Sequence, residues 1–142
     1  MEYAFWDSSA LVPLCAKQKA TPAVEALRAR YRMLVWWSAP VEMRGAFARL
    51  LRLGELTGRE HVQALVRMDQ LRSGWREVAP SEALRDQAER LVDRFTLRAA
   101  DALQLAAALA WRLGKPNGRA FISGDVQLLE VARELGFDAI EA

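Results

Sequence analysis

Ala99-Ala100-Asp101-Ala102-Leu103-Gln104-Leu105-Ala106-Ala107-Ala108-Leu109-Ala110-Trp111 is the stretch around which the chain is organised. Alanine and leucine favour the helix, and a helix that is apolar on nearly every side belongs in the middle of a domain. Near its start stands Asp101, flanked by alanines. An ionised carboxylate in apolar surroundings is costly unless it meets a partner or a cation. The rest of the chain has to supply a reason for an acid at that place.

Outward from this helix, strands and helices alternate. On the N-terminal side, Pro80-Ser81 caps a helix from Glu82 to Phe95 with Leu84, Ala88, Leu91 and Val92 inward, and Trp75–Val78 reads as a brief strand before it. Further back, a helix Val41–Leu53 closed by Gly54 and a second opened by Thr57-Gly58 and running to Arg72 form an αα-hairpin inserted between strands. The second carries an apolar stripe of Leu56, Val62, Leu65, Val66, Met68 and Leu71. Met33–Trp37 is a strand, Thr21 and Pro22 begin a helix to Arg32, and the aromatic run Glu2–Trp6 opens the chain as a buried strand. On the C-terminal side, the central helix stops at Gly114, and Lys115-Pro116-Asn117-Gly118 turns. Arg119–Ser123 is a strand, Val126–Leu135 a helix capped by Gly136, and Asp138–Glu141 a last strand. The alternation predicts an α/β fold, with a mostly parallel sheet of about five strands covered on both sides.

The chain has 142 residues and 16.0 kDa, and residues 1–142 read as one domain with a real core. With 52% hydrophobic and 27% charged residues, the balance is that of a folded domain and not of a disordered segment. No apolar run reaches the roughly 18–20 residues of a membrane helix, and the opening residues lack the pattern of a signal peptide. A single Cys15 allows no internal disulfide and, lying among apolar residues, reads as a buried thiol, which suits a reducing cytoplasm. Net charge is only +2, but the cations are arginines apart from Lys17, Lys19 and Lys115. Arginine suits bidentate contact with phosphate; the same residues also serve as solvated helix faces. The lone His61 reads as a surface residue. It rules out two-histidine RNA hydrolysis and leaves a Ser-His-Asp triad without a well-placed base.

In a parallel sheet, the carboxyl ends of the strands share one edge, where ligands bind. Asp7 follows the first strand and Asp125 the fourth, so both belong on that edge. Glu42 and Asp101 lie in the first turns of helices that begin there. Each has a bland reading of its own, as helix cap or dipole partner. Together, four acids at one edge would raise one another's pKa unless a cation offset their charge. Their hard oxygens suit Mg²⁺ or Mn²⁺, and with no Cys pair and no His nearby, zinc is disfavoured.

These pieces are similar to those of PIN-domain ribonucleases, and closely resemble VapC-type toxins of toxin–antitoxin modules. The resemblance rests on Asp7-Ser8-Ser9-Ala10-Leu11 after the opening strand, Val41-Glu42, the block Ala100-Asp101-Ala102-Leu103-Gln104-Leu105-Ala106, and Phe121-Ile122-Ser123-Gly124-Asp125, in order along essentially the whole chain. The segment Leu128–Gly136 also fits. The resemblance implies a PIN-like three-layer α/β/α sandwich and a metal-dependent endoribonuclease. Asp7, Glu42, Asp101 and Asp125 would be the catalytic and metal-binding acids, for Mg²⁺ with Mn²⁺ as substitute. It gives supporting roles to Ser9 and Ser123, and fewer to Ser8. Arg98, three residues before Asp101, shares its helical face and is placed to grip phosphate or restrain a carboxylate. Gln104 stands where many relatives carry His, with little effect expected. Gly124 stands where a bulkier residue is common, and so would loosen Asp125.

The resemblance further implies a homodimer and a cognate antitoxin, for which Leu50, Leu53 and Leu56 of the hairpin are contact candidates if they are not core. Two other classes stand beside this reading. A non-catalytic PIN-fold module would bind RNA or protein with vestigial acids. A phosphotransfer domain would use Asp7 as nucleophile, but Asp-Ser-Ser lacks the second acid two residues on that a haloacid-dehalogenase site uses, and Lys115 is poorly placed for a receiver domain.

Overall fold

The computed structural model describes residues 2–16, 22–111 and 117–142. The elements run β1 (Glu2–Trp6), α1 (Ser8–Ala16), α2 (Pro22–Arg30), β2 (Tyr31–Trp36), α3 (Ala39–Arg52), α4 (Gly58–Arg72), β3 (Arg76–Val78), α5 (Glu82–Arg94), α6 (Ala99–Trp111), β4 (Ala120–Ser123), α7 (Val126–Glu134) and β5 (Asp138–Glu141). The expected alternation is present, and so is the α3–α4 hairpin between β2 and β3. Thr21 as helix cap, the stop at Gly114 and the turn residues Lys115-Pro116 lie outside the described residues.

All four strand pairings are parallel, in the order β3-β2-β1-β4-β5. Alternate residues of a strand point to opposite faces, and β1 shows the consequence. Ala4 and Trp6 pack into one core with α1 to α4, while Phe5 packs into a second core with α5 to α7. The sheet therefore lies between two helical layers, a three-layer α/β/α sandwich. β2 begins at Tyr31, two residues earlier than the apolar run suggests, because Tyr31 is buried and registers with Glu2.

Two left-handed glycines close helices as expected: Gly54 after α3, with φ 75°, and Gly136 after α7, with φ 100°. Thr57 and Glu60 form a reciprocal capping box at α4, and Ser81 caps α5 through the Leu84 amide. Cys15 is buried, and burial pushes its thiol up to about 12.

Three inward assignments are corrected. Val62 and Val66 of α4 and Val92 of α5 are exposed. α4 packs mainly onto α1 and α3, and its buried side is the narrower set Ala64, Met68 and Leu71. Of the hairpin leucines, Leu56 is core, Leu50 is packed against it and Leu53 is exposed.

The strand order has a direct bearing on function. From β1 the chain moves outward through β2 to β3, then returns across the sheet by way of α5 and α6 to β4. The order reverses between β1 and β4. That reversal opens a crevice at the carboxyl ends of these two strands.

Candidate active site

Asp7 and Asp125 flank this crevice. Asp7 follows the last residue of β1, and its backbone N–H donates to the Ile122 carbonyl of β4 at 2.9 Å. Its side chain turns inward and is only 4% exposed. Oδ2 accepts from Ser9 Oγ at 2.5 Å and Ser123 Oγ at 2.9 Å. The two hydroxyls lie 3.2 Å apart, and each also accepts a backbone amide, Gly124 on Ser9 and Asp125 on Ser123. A small polar web thus ties the end of β1 to the end of β4. The bland reading of Asp7 as a helix cap is not how its carboxylate is used.

The expensively buried acid is therefore Asp7, and not Asp101 as the sequence suggests. Burial raises Asp7 to about 6, against the two hydroxyls, which favour its charge; the charges of Asp101 and Glu42 raise it further. Asp101, in the first turn of α6, is half-buried. Its pKa is raised by burial and by Asp125, held back by Arg98, and raised again by Glu42. The four acids that sequence reasoning put on one edge thus share one electrostatic field.

Asp125 does cap α7: Oδ1 accepts the amides of Gln127 at 2.9 Å and Leu128 at 3.3 Å. With Asp101 it lines a cleft of about 290 Å³ together with Thr96, Leu97, Arg98 and Gln127. Arg98 is exposed at its mouth. Asp125 is anchored through its side-chain cap and its own amide, so Gly124 before it does not leave it loose. A Cβ at Gly124 would stand 3.4 Å from the Ser9 carbonyl oxygen and 3.5 Å from Ser9 Oγ, which are ordinary close contacts.

Glu42 is held by three side chains, from α1, α6 and the turn before α3. Ser8 Oγ donates to Oε1 at 3.2 Å, Ser38 Oγ to Oε2 at 2.5 Å, and Gln104 Nε2 to both oxygens, at 3.2 and 3.1 Å. Ser38, the residue before α3, gives its hydroxyl to Glu42 and makes no side-chain cap. Sequence reasoning gave Gln104 little weight and Ser8 less than Ser9. The available signal was an amide three residues from Asp101, on the same helical face, in a helix otherwise almost wholly apolar. Gln104 is 1% exposed and joins α6 to α3 through Glu42. Gln104→Leu should lower stability by on the order of 1–3 kcal/mol, because a charged acceptor loses its buried donor; urea unfolding reads this directly. An unchanged midpoint would mean that the two serines hold Glu42 unaided.

The donors on offer are carboxylate and hydroxyl oxygens, the ligand class of Mg²⁺ and Mn²⁺. Asp7 and Asp101, with raised pKa values, are the acids whose charge a cation would relieve. Among the described residues, no three His, Cys, Asp or Glu side chains are grouped so as to hold an ion as they stand. The donor set matches such an ion in chemistry and charge.

A five-stranded parallel sheet between helical layers is a PIN-like α/β fold. Comparison with solved structures bears this out. PAE2754 from Pyrobaculum aerophilum superposes with a TM-score of 0.68 at 18% identity, over 99% of this chain and 89% of that one. VapBC2 from Rickettsia felis, solved bound to a DNA fragment from its promoter, gives 0.67 at 11% identity, over 99% and 98%. FitAcB from Neisseria gonorrhoeae gives 0.67 at 13% identity, over 96% of each chain. The chain has the PIN-like fold of these proteins, and its resemblance to VapC-type PIN domains holds at the level of the fold. By sequence, neither a family model nor a curated protein matches it.

Proposed function

We propose that this protein is a divalent-metal-dependent endoribonuclease, the toxin of a toxin–antitoxin pair, acting in the cytoplasm on RNA phosphodiester bonds. The observation that carries the reading is the meeting of Asp7, Glu42, Asp101 and Asp125 in one field at the reversal of strand order, with Asp7 raised to about 6. Acids gathered at such cost to one another are suited to a cation. The toxin–antitoxin character of VapBC2 and FitAcB supports the biological setting.

Asp7, Asp101, Asp125 and Glu42 would hold the ion, Mg²⁺ with Mn²⁺ as substitute. Bound there, the ion would supply an activated water and neutralise charge at the phosphate. Ser9 and Ser123 fix the Asp7 carboxylate by donating to Oδ2. Ser8, Ser38 and Gln104 fix Glu42. Arg98, at the mouth of the cleft, is placed to attract the RNA backbone and restrains Asp101 by its charge. An antitoxin carrying an arginine could offset the same acids, and exposed Leu53 on the α3–α4 hairpin is a contact candidate for it; a homodimer completes the proposed assembly.

The test is cleavage of total RNA by the purified protein with Mg²⁺, with EDTA, and by the Asp7→Asn variant. Discrete fragments that need Mg²⁺ and fall by at least about a hundredfold in the variant are expected, since an acid on the catalytic ion is removed. RNA binding without cleavage, unaffected by Mg²⁺ or Mn²⁺, would instead establish the non-catalytic binding module.

A further inference from the structure

We infer that the cavity between the carboxyl ends of β2 and β3 and the starts of α5 and α6 receives a nucleobase of the RNA strand whose phosphate reaches the acids. The inference rests on the ribonuclease reading above and names how that site would choose its substrate. The cavity measures about 420 Å³, within the range of small-molecule sites. Trp36, Pro80, Leu84 and Leu103 give it apolar walls, and Ser81 and Arg85 lie at its margin.

Its position ties it to the acids. Leu103 stands two residues after Asp101 and one before Gln104, the residue that holds Glu42. The cavity and the acid crevice therefore share the first turns of α6. Trp36 is 5% exposed, and its indole N–H has no hydrogen-bond partner. That N–H lies below the surface, so what Trp36 offers a ligand is the apolar edge of its ring. Outside it, Trp37 is 55% exposed and meets Trp36 edge-on, with ring centroids 6.3 Å apart. An exposed indole beside an apolar slot is the arrangement that splayed single-stranded bases use for stacking.

Charge selects among ligands. Arg85 has no ion-pair partner among the described residues, so it is available to a phosphate outside the cavity. Glu82 on the same rim opposes an anion entering deeply. An uncharged planar base inside, with its phosphate outside, satisfies both.

The experiment uses short single-stranded RNAs that differ only in the bases flanking the cleaved bond. Wild-type protein is compared with Trp37→Ala, which removes the exposed indole beside the cavity, and with Leu103→Trp, which fills it. KM, kcat and base preference are measured with Mg²⁺. Binding of the same labelled RNAs is measured by anisotropy in EDTA, and oligomeric state by gel filtration. We expect a base preference in the wild type that falls at least fivefold in Trp37→Ala. We expect Leu103→Trp to raise KM and the RNA Kd about tenfold with kcat little changed. Variants that are folded and leave base preference, KM and Kd unmoved overturn the inference while the nuclease stands. A wild type that cleaves nothing defeats the ribonuclease reading instead, and the anisotropy arm still decides whether the cavity contributes to RNA binding. A Leu103→Trp chain that changes oligomeric state with unchanged RNA affinity assigns the cavity to a second copy and also overturns it.

Discussion

In EDTA at pH 7.5, Asp7→Asn is expected to melt above the wild-type protein, although it removes an acid central to the proposed chemistry. Asp7 titrates near 3.8 when unfolded and at about 6 in the folded chain, where burial opposes its charge. Below pH 4 the side chain is neutral in both states and costs nothing. As pH rises through 6 the folded state must hold the charge that it disfavours, and stability is lost. A shift of about two units corresponds to roughly 3 kcal/mol, fully expressed at neutral pH. The neutral amide escapes this cost but keeps only part of the hydroxyl web, since Ser9 and Ser123 must turn to suit it. A net gain of about 1–3 kcal/mol, or about 3–10 °C in Tm, is expected. Calorimetry at pH 7.5 and at pH 4 checks it: the gain should shrink at the lower pH, where the wild-type carboxyl is protonated too. A variant that melts lower at pH 7.5, or gains equally at both, would show that Asp7 is not strained by its charge. Addition of Mg²⁺ should narrow the gap, because an ion bound only by the folded wild type stabilises it.

The second large effect belongs to Phe121. It is fully buried in β4, stacked on Phe5 of β1 with centroids 5.4 Å apart and tilted against Phe137 at 5.6 Å. Phe121→Ala removes the ring that joins the two strands on either side of the crevice and leaves a void in a closely packed layer. Such changes cost about 3–5 kcal/mol, a large part of the 5–15 kcal/mol by which ordinary domains are stable. Denaturant unfolding should show the midpoint fall with little change of slope. Phe121→Leu, closer in volume, should cost about half as much or less. Equal losses in the two variants would place the weight on aromatic stacking instead of on filled volume.

Much of this was readable from the residues. The strand–helix alternation sufficed for the parallel sheet, and Asp7 and Asp125 at strand ends, with Glu42 and Asp101 in first helical turns, sufficed to bring four acids to one edge. What escaped depended on neighbours that local pattern does not contain. Val62, Val66 and Val92 look inward by spacing, but in the fold all three stay exposed. Asp101 looked like the buried acid because its own helix is apolar, yet the first turn of α6 is exposed at Ala99 and Ala100, while Asp7 sinks between two strands and two hydroxyls. Gln104 looked incidental because its partner, Glu42, is 62 residues away in sequence.

The parallel pairing of β1 with β4 also sets a timetable for the newly made chain. Asp7 and Glu42 leave the ribosome well before β4, but β1 finds its second neighbour only when Ala120 pairs with Ala4, and Ser123 must arrive before the hydroxyl web around Asp7 can close. At about 5–20 residues per second, that interval is on the order of ten seconds. Throughout it the growing polypeptide has no crevice and no complete set of acids. Whatever this site does to its substrate, it cannot begin on a nascent chain until β4 and Ser123 have emerged.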